Sequence, residues 1–224
     1  EIGGALVAHP LIRAVGFTGA GVRGEIYDTG TELNHPELVD SIPHGAGTVS
    51  AHGTSSAGEV FARGLNPQAK GLCPQGTAIV TDANGYGGSR YAHTMQSVDP
   101  SGPYRAVFLT SSVGAAQVTG YSSISQNLDL IAFDTHLVHL QSQSNTGTTA
   151  SRPEAWAKNV ISVGGINHYG TLADTDDAWA GASIGPASDG RMKPNMAAFY
   201  DGIYTTTSGG GYTGSFGGTS GATP

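Results

Sequence analysis

Four stretches of this chain set a side chain able to do acid–base or nucleophilic chemistry among small residues. Asp28 closes an apolar run in Ile26-Tyr27-Asp28-Thr29-Gly30, where a carboxylate would stand at a strand exit and Gly30 would allow a sharp turn. His52 opens His52-Gly53-Thr54-Ser55-Ser56-Ala57-Gly58, whose small residues let a helix begin close against a sheet. Asn145 follows another apolar run, in Gln143-Ser144-Asn145-Thr146-Gly147, and its amide could donate to a developing oxyanion. Ser220 lies in Gly218-Thr219-Ser220-Gly221-Ala222-Thr223-Pro224. A hydroxyl there would begin a helix, where unpaired N–H groups favour negative charge. Each has a plainer reading: a turn carboxylate, a surface imidazole, a loop amide, a serine N-cap. Four such signals at successive element ends favour chemistry. An aspartic protease would need two carboxylates sharing a proton, and Asp-Thr-Gly occurs once.

The elements that must position these groups are legible as alternating runs. Val22–Tyr27, Thr77–Thr81, Ala106–Thr110, Leu137–Leu140 and Val160–Val163 read as short buried strands. Between them, His52–Ala62, Tyr91–Val98 and Ser123–Phe133 carry helical spacing, with Ile124, Leu128, Ile131 and Ala132 on one face of the last. This alternation predicts an α/β fold: a doubly wound, mostly parallel central sheet with helices on both faces. In such sheets ligands sit beyond the carboxyl ends of the strands. Ser208–Gly218 reads as a Gly-rich lead into a helix.

Composition narrows the function further. The 224 residues carry a net charge of −7 and only 12% charged residues, with 35 glycines. No Lys/Arg cluster could displace counterions from phosphates, so nucleic acid is not an expected partner. No apolar stretch approaches a membrane span, and no membrane partner is expected. No Gly-x-x-x-x-Gly-Lys phosphate loop and no His-Glu-x-x-His or Cys-x-x-Cys metal motif occurs. His136 and His139, three apart in an expected strand, would face opposite sides, so no residue is assigned to a metal. Cys73 is the single cysteine and has no partner for an internal disulfide.

The order Asp28…His52…Asn145…Ser220, with these flanks, resembles the subtilase (subtilisin-like serine peptidase) family. The stretch Gly-Thr-Ser-x-Ala-x-Pro at 218–224 matches the family's nucleophile motif at every fixed position, and the His and Asp motifs match in part. Gly19–Val22, Asn34–Leu38, Ser112–Gly114, Ala157–Gly164 and Gly190–Pro194 are family-like as well. The similarity runs from about Gly16 to Pro224 and is greatest to bacterial secreted subtilases. It implies Ser220 as nucleophile, His52 as general base and then acid, and Asp28 as the group that orients the imidazole. Asn145 and the Ser220 N–H would form the oxyanion hole. Ser112, Val113 and Gly114 would pair with substrate backbone, and Ser144 would border the specificity pocket. A secreted, extracellular, monomeric endopeptidase acting on polypeptides through an acyl-enzyme is the expectation, with no cofactor required. Asp174, Asp176 and Asp177 would suit a structural calcium ion; a solvated acidic turn is the plainer reading.

The departures set a competing expectation. Ser55-Ser56 stands where the family usually has His-Val, Ser144 where it has Gly, and Gly221 where it has Met. The 24 residues from Asp28 to His52 are a short spacing for the family. The chain starts at Glu1, and four residues follow Ser220. The expectation is therefore a single peptidase domain over 1–224, truncated just after the nucleophile motif and lacking its C-terminal helices. The alternative is a catalytically impaired subtilase-fold module used for binding or structure.

Overall fold

The apolar runs become the middle of one sheet. The structure is a computed structural model that describes residues 14–224 other than 172 and 180. Strands β1 (Arg23–Asp28), β2 (Ile42–Pro43), β3 (Thr77–Asp82), β4 (Phe108–Ser111), β5 (Val138–Ser142), β6 (Ile161–Asn167) and β7 (Ala178–Trp179) lie in the order β2-β3-β1-β4-β5-β6-β7. A further strand, β8 (Met196–Phe199), also pairs with β6. Neighbours are parallel except β6 with β7. The register sets Asp28 beside Asp82 of β3, and Tyr27 beside Ser111 of β4. The carboxyl ends of the central strands thus share one edge.

Both faces of the sheet are covered, as its nearly continuous apolar strands require. Successive residues of a strand point to opposite faces. Ile26 therefore packs with Ala57, Val60 and Phe61 of helix α1 (Ala51–Phe61) on one side. Tyr27 packs with Leu109, Leu137 and Val98 on the other, where helices α2 (Arg90–Val98) and α3 (Ser123–Thr135) lie. Leu128 and Ile131 of α3 bury against Ala157 and Val160.

Glycine sets how close α1 sits to its neighbours. A Cβ on Gly53 would stand 2.0 Å from the Gly30 carbonyl oxygen, and one on Gly58 would stand 2.1 Å from Thr206 Oγ1. Thr206 belongs to a hairpin of β9 (Ile203–Thr207) and β10 (Gly211–Phe216), followed by the short helix α4 (Gly218–Ala222). The stretch read as a Gly-rich lead into a helix is thus mostly this hairpin, with Gly209 and Gly210 at positive φ in its turn. Two other expectations change. His136 is not in a strand but ends α3 in the left-handed region, at φ 54°. Ile124 is 38% exposed rather than on the buried face of α3.

Candidate active site

Asp28 is the last residue of β1 and is 1% exposed. Its Oδ1 accepts from the Thr29 N–H (2.7 Å) and from His52 Nδ1–H (2.6 Å). Its Oδ2 accepts from the Ser56 hydroxyl at 2.9 Å. His52 is presented by the first turn of α1, whose cap is Ser50: the Ser50 hydroxyl accepts from the His52 N–H. With Nδ1 turned onto Asp28, the ring offers Nε2 on its other side. It meets Phe216, four residues before Ser220, edge-on at 5.4 Å.

Ser220 lies inside α4, which the hairpin delivers back to the sheet edge. Its hydroxyl donates to the Ser112 carbonyl at 3.4 Å, and the Ser112 hydroxyl donates to the Ser220 carbonyl at 2.9 Å. The nucleophile motif and the stretch after β4 are thereby tied together. Asn145 joins the same centre: its Oδ1 accepts from the Thr219 N–H (2.9 Å) and hydroxyl (3.0 Å). With the amide oxygen so occupied, the two donors on Nδ2 remain. A Cβ on Gly218 would stand 3.2 Å from that nitrogen.

Ser144 takes the conformation that glycine would take there, φ 110°. Three bonds hold it. Its N–H donates to Thr219 Oγ1 (3.2 Å), its carbonyl accepts from the Ser183 N–H (2.7 Å), and its hydroxyl accepts from Gln117 Nε2 (3.0 Å). The side chain is buried, so its part in the site is to fix the path of the loop into Asn145.

Val113 and Gly114 border an open cavity of about 590 Å³ that also touches Thr29, Tyr86, Arg90 and Ile124. Exposed Ile124 is accounted for here. The Val113 carbonyl accepts from Gln141 Nε2 at 2.8 Å. Arg152 Nη1 donates to the Gly114 carbonyl (2.8 Å), and Glu154 accepts from the Ala115 N–H (3.0 Å), bracing this edge of the cleft.

Sequence reading missed two groups of buried ionisable side chains. Glu25, three residues before Asp28, receives His93 Nε2–H (2.6 Å), the Thr81 hydroxyl (2.6 Å) and His44 Nδ1–H (3.3 Å) on one oxygen. Burial alone would raise its pKa, but the bonds from His44 and His93 carry it far below the usual carboxylate range. A carboxylate and two imidazoles could in principle ligate a cation. The two rings stack, however, at 3.8 Å and 17°. As hydrogen-bonded here, both nitrogens donate to the same carboxylate oxygen, and neither presents a lone pair to an ion. As placed, the three groups form a hydrogen-bonded cluster around the Glu25 carboxylate.

The second group is Glu59 on α1, which is buried with neither carboxyl oxygen hydrogen-bonded among the described residues. Burial, reinforced by the charge of Asp28, pushes its pKa well above the ordinary value. A glutamate among Ala57, Gly58 and Val60 gave no signal in the sequence, because helical spacing alone does not reveal which carboxyl is buried without a donor. Asp174, Asp176 and Asp177 lie on the surface, where Asp176 accepts from the Thr171 hydroxyl (2.9 Å).

The sequence model of the subtilase family matches residues 19–224. Among solved structures, the chain is similar to the prenylagaramide maturation protease PagA, with a TM-score of 0.75 at 18% identity, covering 97% of this chain and 76% of that one. It is also similar to the S41 psychrophilic protease, with a TM-score of 0.70 at 22% identity, covering 92% of this chain and 74% of that one. At these identities the likeness is one of fold.

Proposed function

Because the chain belongs to the subtilase family of serine peptidases, we propose that it cleaves internal peptide bonds through a Ser220–His52–Asp28 triad and an acyl-enzyme intermediate. The observation that carries this reading is the 2.6 Å bond from His52 Nδ1–H to buried Asp28, at the same sheet edge as Ser220 and Asn145.

In this mechanism a polypeptide lies in the cleft with its backbone along Ser112 and Gly114, the β-augmentation mode. The Ser220 hydroxyl turns from the Ser112 carbonyl and attacks the substrate carbonyl carbon, while His52 Nε2 takes its proton. Asp28 keeps the proton of Nδ1 in place, so Nε2 is the basic nitrogen, and its charge stabilises the imidazolium that forms. The carbonyl oxygen becomes an oxyanion that accepts from Asn145 Nδ2 and the Ser220 N–H. Collapse breaks the C–N bond, and the imidazolium gives its proton to the leaving amine. A water molecule, deprotonated by His52, then attacks the ester and frees Ser220. We place this enzyme outside the cell as a monomer acting on polypeptides, with no cofactor in the reaction and calcium, if bound, structural.

A fluorophosphonate probe tests the reading. The full-length protein should be labelled on Ser220, should hydrolyse casein, and should lose both properties in Ser220→Ala. A folded protein that is neither labelled nor active would instead be a subtilase-fold binding module.

A further inference from the structure

We propose that Ser56 is a positioning residue of the triad: its hydroxyl holds the second oxygen of Asp28 and so fixes the plane of the carboxylate that His52 must meet. The inference rests on the peptidase reading above.

His52 and Ser56 are four apart on α1 and therefore share one helix face. Both reach the end of β1, and they take different oxygens: His52 the Oδ1, Ser56 the Oδ2. Oδ1 has a second donor in the Thr29 N–H. For Oδ2, Ser56 is the donor recorded among the described residues. Asp28 is buried, so bulk water does not substitute, and an ionised oxygen without a donor in such a place is costly. Bonds on both oxygens also stop the carboxylate from turning about Cβ–Cγ. The direction of its lone pair toward Nδ1 is then set by the helix that carries His52 itself.

The neighbours exclude a simpler source of this hold. Ser55 looks elsewhere, donating to the Thr206 carbonyl at 2.7 Å and tying α1 to the hairpin. Glu59, one turn beyond Ser56, makes no hydrogen bond to Asp28. Arg152 also feels the charge of Asp28, but its bond goes to Gly114. Resemblance to the family gives valine at position 56 as the usual residue. This chain therefore adds a donor at a position that in the family is apolar, and the substitution that suggested an impaired site instead supports the triad.

The experiment compares Ser56→Ala, which removes the donor, with Ser56→Thr, which keeps it, in the full-length protein after active-site titration. We expect Ser56→Ala to lower kcat about 3- to 30-fold with KM within about twofold, as for loss of a bond to a charged group. With one donor fewer, Asp28 directs more charge at His52 and favours the imidazolium, so the acidic limb of the kcat/KM profile should move to higher pH. Ser56→Thr should restore both. The His52 Nδ1 proton resonance, read without substrate, should move in Ser56→Ala and return in Ser56→Thr. An unmoved limb and resonance in Ser56→Ala would overturn the proposal, even with reduced activity, because a packing role alone would leave them in place. If Ser56→Ala does not fold, Ser56→Cys, equal in shape and a weaker donor, supplies the same comparison. A wild-type protein that hydrolyses nothing would defeat the peptidase reading, while the resonance would still decide whether Ser56 holds Asp28.

Discussion

At the residue scale, Asn145 shows how one amide serves two purposes. Its oxygen accepts from the Thr219 N–H and hydroxyl, which anchors the chain just before Ser220. In the proposed mechanism its nitrogen is left to donate to the oxyanion. The bond to that oxygen strengthens as charge develops, so it belongs to the transition state more than to the bound substrate. Asn145→Ala should lower kcat by about 10²–10³ and change KM little. A loop amide without this role predicts changes under about twofold in both constants, and steady-state kinetics on a peptide substrate distinguishes the two. Ser144 belongs to this scale as well. Its positive φ costs on the order of 1–3 kcal/mol for a residue with a Cβ, and the bond that its side chain adds, from Gln117 Nε2, offsets part of that.

At the scale of elements, the distance between α1 and the exit of β1 decides whether His52 can meet Asp28. That distance is set by the absent side chain of Gly53, where a Cβ would collide with the backbone oxygen of Gly30. Backbone on both sides leaves no flexible group to give way, and Gly30 itself sits at φ 98°. Gly53→Ala should therefore destabilise the fold by about 1–3 kcal/mol and lower kcat/KM further than that loss explains, since small misplacement of a catalytic group is costly. Urea unfolding read beside kinetics checks this. Wild-type stability in the variant would mean that α1 can slide away from Gly30.

At the scale of the whole molecule, buried ionisable groups govern how the fold responds to pH. His139 on β5 is buried, and neither ring nitrogen has a hydrogen-bond partner among the described residues. Burial, aided by the charge of Arg90 and opposed by Glu25, pushes its pKa down to about 3. The ring is neutral in the fold, while in the unfolded chain it takes a proton near its ordinary value of 6.5. The unfolded state thus binds more protons below that value, and stability present above about pH 6.5 is lost as pH falls toward 3. The slope is about 1.4 kcal/mol per pH unit. Glu37, Asp82 and Asp201 have lowered pKa values because backbone and side-chain donors overcome burial, and their contributions fade only at lower pH. Glu59, whose pKa burial raises well above its ordinary value, runs the other way: the fold keeps a proton that the unfolded chain gives up, so its contribution grows as pH falls toward 4.5 and offsets that of His139. His139→Leu should therefore lower the slope of stability against pH by about 1.4 kcal/mol per pH unit between about pH 6.5 and 4.5, as measured by denaturant unfolding across that range. An unchanged slope would mean that the ring is protonated within the fold.

The sequence by itself determined the parts whose signals are local. Alternating apolar runs placed β1, β3, β4, β5 and β6 and the three longer helices within a few residues, because burial on both faces demands continuous apolar strands. Small residues around Asp28, His52 and Ser220 marked the element ends, because only they permit such close turns. The hairpin before Ser220 was not legible, since Thr, Tyr and Gly in Ile203–Phe216 carry no strong period and gain order from pairing and from α1 packed on β9. Nor were the partners of Ser56, Glu25 and Glu59. A hydroxyl or carboxyl on a helix or strand does not state what faces it across the core; register, helix placement and exclusion of water decide that. Tertiary structure alone turned Ser56 toward Asp28, gathered His44 and His93 onto Glu25, and buried Glu59 so that its pKa rises, because each of these effects depends on groups distant in sequence being held together away from solvent.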